Sequence, residues 1–313
     1  MSDSIIEPVR ISNSEIQTFK DCKRKWWLSY YRRLQPKTKQ FTGALALGSR
    51  IHQALDDHYS GGVPLLEAHA KLVDNDRAIL QAEYRDTYEL DSEAELGRIM
   101  LEGYLEWNAE NGIDSELELV SAEEIIEMPL LNGEVILQGK IDQRVRRKTD
   151  GVKLFRDWKT VGGSFTDFAS GAQMNEQIKT YMLLETAQNK EGERTEGGIF
   201  TLFKKVKRTA NAKPPFYDQI EVRHNIFTLR AFWANIHAVL TEMMNTRKAL
   251  DAGVHFQTVT YPRPSRDCKW KCQFFALCPM FDDGSAVEQA LSDSYEIADP
   301  YAYYTNEEKK GSE

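Results

Sequence analysis

Cys268, Cys272 and Cys278 stand within eleven residues in the stretch "RDCKWKCQFFALCPM", and the only other cysteine, Cys22, lies near the opposite end of a 313-residue chain. A fold that uses all four thiols together must bring its two ends to one place. The opening "MSDSIIEPVR" has no basic region followed by an apolar core, so no secretory signal is expected. That points to a cytoplasmic protein with reduced thiols, in which clustered cysteines signal a metal or redox site rather than disulfides. Zinc sites usually use two close cysteine pairs, whereas this spacing is one plus three. Three thiols on one loop can cover three corners of a cubane, and Cys278-Pro279 echoes the Cys-Pro ending of ferredoxin-like runs. Iron–sulfur, zinc and plain buried cysteine all stay open on spacing alone.

Hydrophobic residues make up 41% and charged residues 28%, a balance that can bury a core. No run of eighteen apolar residues suggests a membrane span. The net charge of −8 argues against nucleic acid only until its distribution is read, because residues 282–313 hold nine acids and two lysines. Residues 20–39 hold eight Lys or Arg against one acid, beside Trp26, Trp27, Tyr30 and Tyr31, and "KKVKRTANAK" (204–213) holds five and none. Basic stripes among aromatics suit a phosphate backbone with stacked bases; a solvated helix face and a solvated hairpin tip are the plainer alternatives.

Helical spacing covers 12–34, 43–60, 64–85 and 91–110. Alternating β-formers follow at 116–131, 134–148 and 152–161, separated by Asn132-Gly133 and Asp150-Gly151. A helix at about 172–188, two strands around the basic tip and a helix at 225–251 complete the order. This predicts one α/β domain with a mixed sheet and a helical insertion.

A two-residue turn at Asp150-Gly151 places Asp142 opposite Lys159 and Arg144 opposite Asp157. Side chains alternate along strands, so Asp142, Asp157 and Lys159 share one face, and Ile141, Val145 and Trp158 share the other. Two carboxylates beside a lysine suit phosphodiester hydrolysis with a hard divalent cation, and equally an exposed ion-paired strand. Gly139 lies three residues before Asp142 and permits close approach of backbone or substrate. "DWK" (157–159) has the (D/E)-x-K form, and Gln177 and Tyr181 share a helix face.

Taken in order, "LGSRIHQALDDHY", Gly139-x-x-Asp142, Asp157-x-Lys159 and Gln177-x-x-x-Tyr181 resemble the PD-(D/E)xK nuclease superfamily and its RecB-like branch. That branch includes CRISPR-associated iron–sulfur exonucleases and related phage exonucleases. The resemblance runs from Ser12 to Pro279. It implies a restriction-endonuclease-like α/β core whose mixed sheet is flanked by helices. It implies a metal-dependent DNA exonuclease acting on single strands or ends in recombination, repair or phage DNA processing. Mg²⁺ or Mn²⁺ would be held by His52, Asp142, Asp157 and the backbone carbonyl of Trp158. Lys159 would be catalytic with Asp142 and Asp157, and Gln177 and Tyr181 would order the site and contact DNA. Cys22, Cys268, Cys272 and Cys278 would hold a [4Fe–4S] cluster joining the two ends, with Zn²⁺ the alternative. The family often has arginine directly after the second-motif aspartate; here Gln143 intervenes, and Arg144 is unassigned. The family's first C-terminal cysteine gap is commonly two residues, and here it is three.

The implied layout is one nuclease domain over 1–281, with a helical insertion at about 61–115 and cluster-binding segments at 12–34 and 262–281. Residues 282–313 would be a flexible acidic tail. "GALALGSR" starts like a phosphate-binding loop, but Ser49-Arg50 stand where Lys-Ser/Thr belongs, so unwinding would need a helicase or recombination partner. A bacterial or phage-infected cell is the expected setting. A non-catalytic DNA-binding subunit and a zinc-stapled interaction domain are the competing readings; oligomeric state is not encoded.

Overall fold

The computed structural model describes residues 7–188 and 195–304. In chain order these form β1 (Val9–Ser12), α1 (Asn13–Asp21), α2 (Lys23–Trp26), β2 (Leu34–Pro36), α3 (Ala44–Gly61), α4 (Leu65–Ala82) and α5 (Tyr88–Asn111). Then come β3 (Leu117–Leu130), β4 (Val135–Arg147), β5 (Lys153–Val161), α6 (Phe165–Ala172), α7 (Glu176–Thr186), β6 (Thr195–Lys204) and β7 (Tyr217–Arg223). The chain ends with α8 (Ile226–Asp251), α9 (Phe256–Val259), α10 (Cys268–Lys271), α11 (Val287–Ser294) and β8 (Tyr295–Ile297). No helix among the described residues is long and apolar enough to cross a membrane. Two compact units emerge: Met1–Lys39 with Glu127–Gln138 and Arg230–Glu313, and Gln40–Ile126 with Gly139–Leu229. The sequence carries no linker signal between them because two boundaries fall inside β3 and β4.

In the second unit, β4 pairs antiparallel with β5, β5 parallel with β6, and β6 antiparallel with β7. This is the mixed sheet expected of the sequence. The β4–β5 register differs from the expectation: Gln143 faces Arg156 and Arg146 faces Lys153. The loop is four residues long, closed by Arg147 N–H to the Val152 carbonyl at 2.9 Å, with Gly151 at φ +70°. Asp150 turns back to accept from Val152 N–H and the Arg147 guanidinium, which stabilises the longer loop. The slip is two residues, so every side chain keeps its predicted face. Asp142 now comes opposite Asp157 rather than Lys159.

Helices α4 and α5, which fall in the stretch expected as a helical insertion, pack into the core of this unit. Leu65, Ala68, Met100, Leu101 and Tyr104 are buried with Leu47, Ile51 and Leu55 of α3 against Trp158, Phe203 and Tyr217 of the sheet. The apolar stripe of α3 recurs at Leu47, Ile51, Ala54 and Leu55, the spacing that lays one helix face on a surface. Each fully buried Leu or Ile contributes about 1.5–3 kcal/mol through area removed from water.

In the first unit, β1 pairs parallel with Val135–Gln138 of β4. The helix expected over 12–34 is broken. Ser12 caps α1 by accepting from Glu15 N–H, but Cys22 leaves the helix at φ −161°, ψ 112°, and α2 restarts beyond it. The acidic tail, expected to be flexible, is ordered as far as residue 304, and its last residues, 305–313, lie outside the described part. Helix α11 leads into β8, which pairs antiparallel with β2 (Leu34 to Ile297, Pro36 to Tyr295). Beyond it, the Tyr301 hydroxyl donates to buried Glu15. Glu15 also accepts from Trp26 Nε1 at 2.8 Å and Arg247 Nη2 at 2.9 Å, so three distant segments converge on one carboxylate. Charge counting could not show this, because two of the acids pair with remote arginines, Glu288 with Arg32 and Asp282 with Arg24, beside the Tyr301 contact. Glu15→Ala strands the Arg247 charge and should lower stability by about 3–5 kcal/mol in urea denaturation. Truncation after Pro300 removes the Tyr301 hydroxyl from Glu15 and from Ser12 N–H and should cost about 1–3 kcal/mol.

Candidate active site and cysteine cavity

The predicted site residues of the second unit lie on three elements: α3, the β4–β5 pair and α7. Asp157 is 1% exposed in the central strand β5. Its Oδ1 accepts from Gln177 Nε2 at 2.8 Å, and its Oδ2 lies 2.6 Å from Lys159 Nζ. Lys159 Nζ donates to Gln177 Oε1 at 2.9 Å, closing a three-residue ring. Gln177 Nε2 also donates to the Tyr181 hydroxyl at 2.8 Å, and Tyr181 donates to the Lys140 carbonyl at 2.7 Å. Thus Gln177 and Tyr181, on one face of α7, tie that helix to β4 and β5. Asn175 caps α7 by accepting from Gln177 N–H, which fixes where the face starts.

On the other side of Asp142 stands α3. His52 Nδ1 is 3.3 Å from Asp142 Oδ2, which also accepts from Trp158 N–H at 3.4 Å. The His52 ring meets Trp158 edge-on, with ring centres 6.5 Å apart. Gly48, one turn before His52, brings α3 close to β5: a Cβ there would lie 3.3 Å from Thr160 Oγ1. Gly139 also serves close approach, by α7 rather than by backbone or substrate. A Cβ on it would lie 3.0 Å from both Tyr181 Cε1 and Leu184 Cδ1.

The two carboxylates differ in electrostatics. Burial pushes the Asp157 carboxyl above the usual range, Lys159 offsets this in part, and the charge of Asp142 adds to the rise. Burial acts on Asp142 in the same direction, but the His52 hydrogen bond and the His52 and Lys159 charges hold it below the usual range. Burial lowers His52, yet Asp142 and Asp157 leave it above its ordinary value. Asp157 Oδ2 is buried and makes no hydrogen bond among the described residues despite its ionic contact with Lys159. A hard oxygen with a spare lone pair, beside a second carboxylate and an imidazole, suits a divalent cation. Among the described residues, no three His, Cys, Asp or Glu side chains already stand in metal-gripping geometry.

Residues that the sequence reading passed over support this ring. Arg156 is 2% exposed on the face opposite Asp157, bonded to Asp114, Tyr104 and Thr201. Tyr59 stacks on Trp158 at 5.5 Å and donates to Asp114. Its spacing of seven from His52 was the one available signal. Arg144 is structural, paired with Glu124 and Glu185.

In the first unit, Cys22, Cys268, Cys272 and Cys278 all line one cavity of about 300 Å³. All four thiols are free. Backbone N–H groups point at two of the sulfurs: Arg263 to Cys22 Sγ at 3.4 Å and Ser265 to Cys268 Sγ at 3.3 Å. Burial, with the neighbouring thiols adding to it, pushes Cys272 and Cys278 up, so ligation there must displace protons. Four sulfurs line one cavity, two of them with N–H donors aimed at them, and this is the donor set that a thiolate-ligated centre would use.

Paired acids and an immobilised lysine on a helix-covered mixed sheet define the class as a nuclease. The model of the PD-(D/E)XK nuclease superfamily matches residues 10–279, and the chain belongs to that superfamily. No curated protein matches it. Among solved structures, a proposed exonuclease from Eubacterium rectale is similar at 11% identity and a TM-score of 0.49, covering 84% of this chain and 93% of that one. The protein SSO0001 is similar at 15% identity and a TM-score of 0.32, covering 65% and 80%.

Gly139→Ala should press on the Tyr181 ring and lower stability by about 1–3 kcal/mol in urea denaturation. An unchanged midpoint would mean that the α7–β4 contact is looser than these distances imply.

Proposed function

We propose that this nuclease hydrolyses DNA, as a divalent-metal-dependent exonuclease of the RecB-like branch acting on single strands or ends. The observation that carries the reading is the Asp157–Lys159–Gln177 ring beside the His52–Asp142 pair, all within one compact unit. His52, Asp142, Asp157 and the Trp158 carbonyl would hold Mg²⁺ or Mn²⁺, which when bound polarises a phosphate and acidifies water. Lys159 has a different task. Its ammonium is fixed by Asp157 and Gln177 where it can stabilise negative charge growing on a phosphate oxygen. Gln177 orients that ammonium, and Tyr181 anchors Gln177 to the Lys140 carbonyl, so the donor is held before substrate arrives.

Asp157→Asn keeps the size of the side chain, removes its negative charge and sets an NH2 donor against either Gln177 Nε2 or the Lys159 ammonium. The variant should bind end-labelled single-stranded DNA and lose cleavage by a factor of about 10³ or more in Mg²⁺ or Mn²⁺. Undiminished metal-dependent cleavage would sink the mechanism. Gln177→Leu should keep DNA binding and lower kcat about 10–100-fold or more, since it frees the lysine and also removes the amide that donates to Asp157.

The four cysteines would hold a [4Fe–4S] cluster that ties Cys22 to the 268–278 loop. Protein purified without oxygen should show a broad visible absorbance and about four irons per chain. Cys272→Ser should lose both and unfold at lower urea, because ligation energy is folding energy. One zinc and no iron would favour the zinc reading instead.

A further inference from the structure

We propose that Trp270 and its flanking lysines form a stacking platform for single-stranded DNA. This rests on the nuclease reading above but concerns a surface outside its catalytic residues. Helix α10 is a single turn, and its Lys269, Trp270 and Lys271 all face solvent. Trp270 is 79% exposed. So large a ring normally finds a partner, since burying it removes about 150–250 Å² from water. Shielding the sulfurs is not its role: Phe274 and Phe275 line the thiol cavity, and Trp270 does not.

The surroundings choose the partner. Lys269 Nζ sits 5.2 Å from the Trp270 ring centre, a cation–π contact that still leaves most of the ring in water. Arg263, Arg266 and Lys271 are exposed on the same segment, and its one acid, Asp267, is paired with Lys271 at 2.7 Å. Arg263, Lys271 and Lys25, against Asp21 and Asp267, also line a second cavity of about 450 Å³ that reaches Cys22, Cys268 and Cys272. An exposed ring flanked by cations fits a base with its phosphate rather than an apolar protein face. Duplex DNA hides its base faces, so the platform suits a single strand or a frayed end.

The test uses full-length Asp157→Asn protein and fluorescein-labelled oligothymidylate, read by anisotropy at fixed salt. Adding Trp270→Ala should weaken binding about 5- to 100-fold, while Trp270→Phe stays within about threefold. Binding to a blunt duplex of equal length should be little changed. Strand addition should quench tryptophan fluorescence in the parent, and the quench should vanish in Trp270→Phe. That readout decides independently of any effect of Trp270→Ala on folding. Trp270→Ala binding within twofold of the parent, or a quench that survives in Trp270→Phe, overturns the platform and leaves the nuclease reading standing. No strand binding by the parent overturns both.

Discussion

Asp157 is a carboxylate almost cut off from water, and the second unit is organised around keeping it there. A buried carboxylate is destabilising by several kcal/mol unless it is paired and hydrogen-bonded. Lys159 and Gln177 supply those partners, one from the same strand and one from α7. The demand then spreads outward. Gln177 must be fixed, so Tyr181 holds it and bonds to β4, and Gly139 leaves room for the Tyr181 ring. On the opposite face Arg156 is equally buried, and Tyr104, Asp114 and Thr201 satisfy it. Strand β5 is thus pinned on both sides around the residue with least tolerance for movement.

The same burial separates the two acids. Asp157 is raised by its dry surroundings, while Asp142 is held down by His52 and Lys159. Neighbouring carboxylates of unlike proton affinity can play unlike roles, which two equivalent surface acids could not. His52 reaches Asp142 because Gly48 allows α3 to lie close on β5, so a small residue one turn away decides where the imidazole sits.

In the first unit the constraint is geometric. The helix expected over 12–34 stops at Cys22, whose extended backbone interrupts it, and the thiol then lines the cavity shared with the other three. Periodicity read through that residue because its apolar neighbours keep helical spacing on either side. The break leaves the Cys22 sulfur in the same cavity as the distant 268–278 loop, which no local pattern records. A comparable misreading affected the tail, where acid content suggested mobility. Tyr301 and the β2–β8 pairing order it, and those contacts are too far apart in sequence to read from composition.

Local chemistry was legible in the sequence because alternation and turn residues are local. Which face Asp142, Asp157 and Lys159 occupy followed from period two, and survived a turn misjudged by two residues because two is the repeat. The spacing of Gln177 and Tyr181 likewise put them on one side of a helix before their partners were known. What tertiary structure alone decided was burial and pairing. Arg156 sits in "LFRDWK" like any exposed strand charge, yet it is enclosed because β5 is covered on both faces. Helices α4 and α5 read as a helical insertion with heavy surface charge, and only the fold shows which of their residues pack on the sheet. Strand order and helix docking depend on contacts between residues remote in the chain, and no local pattern records them.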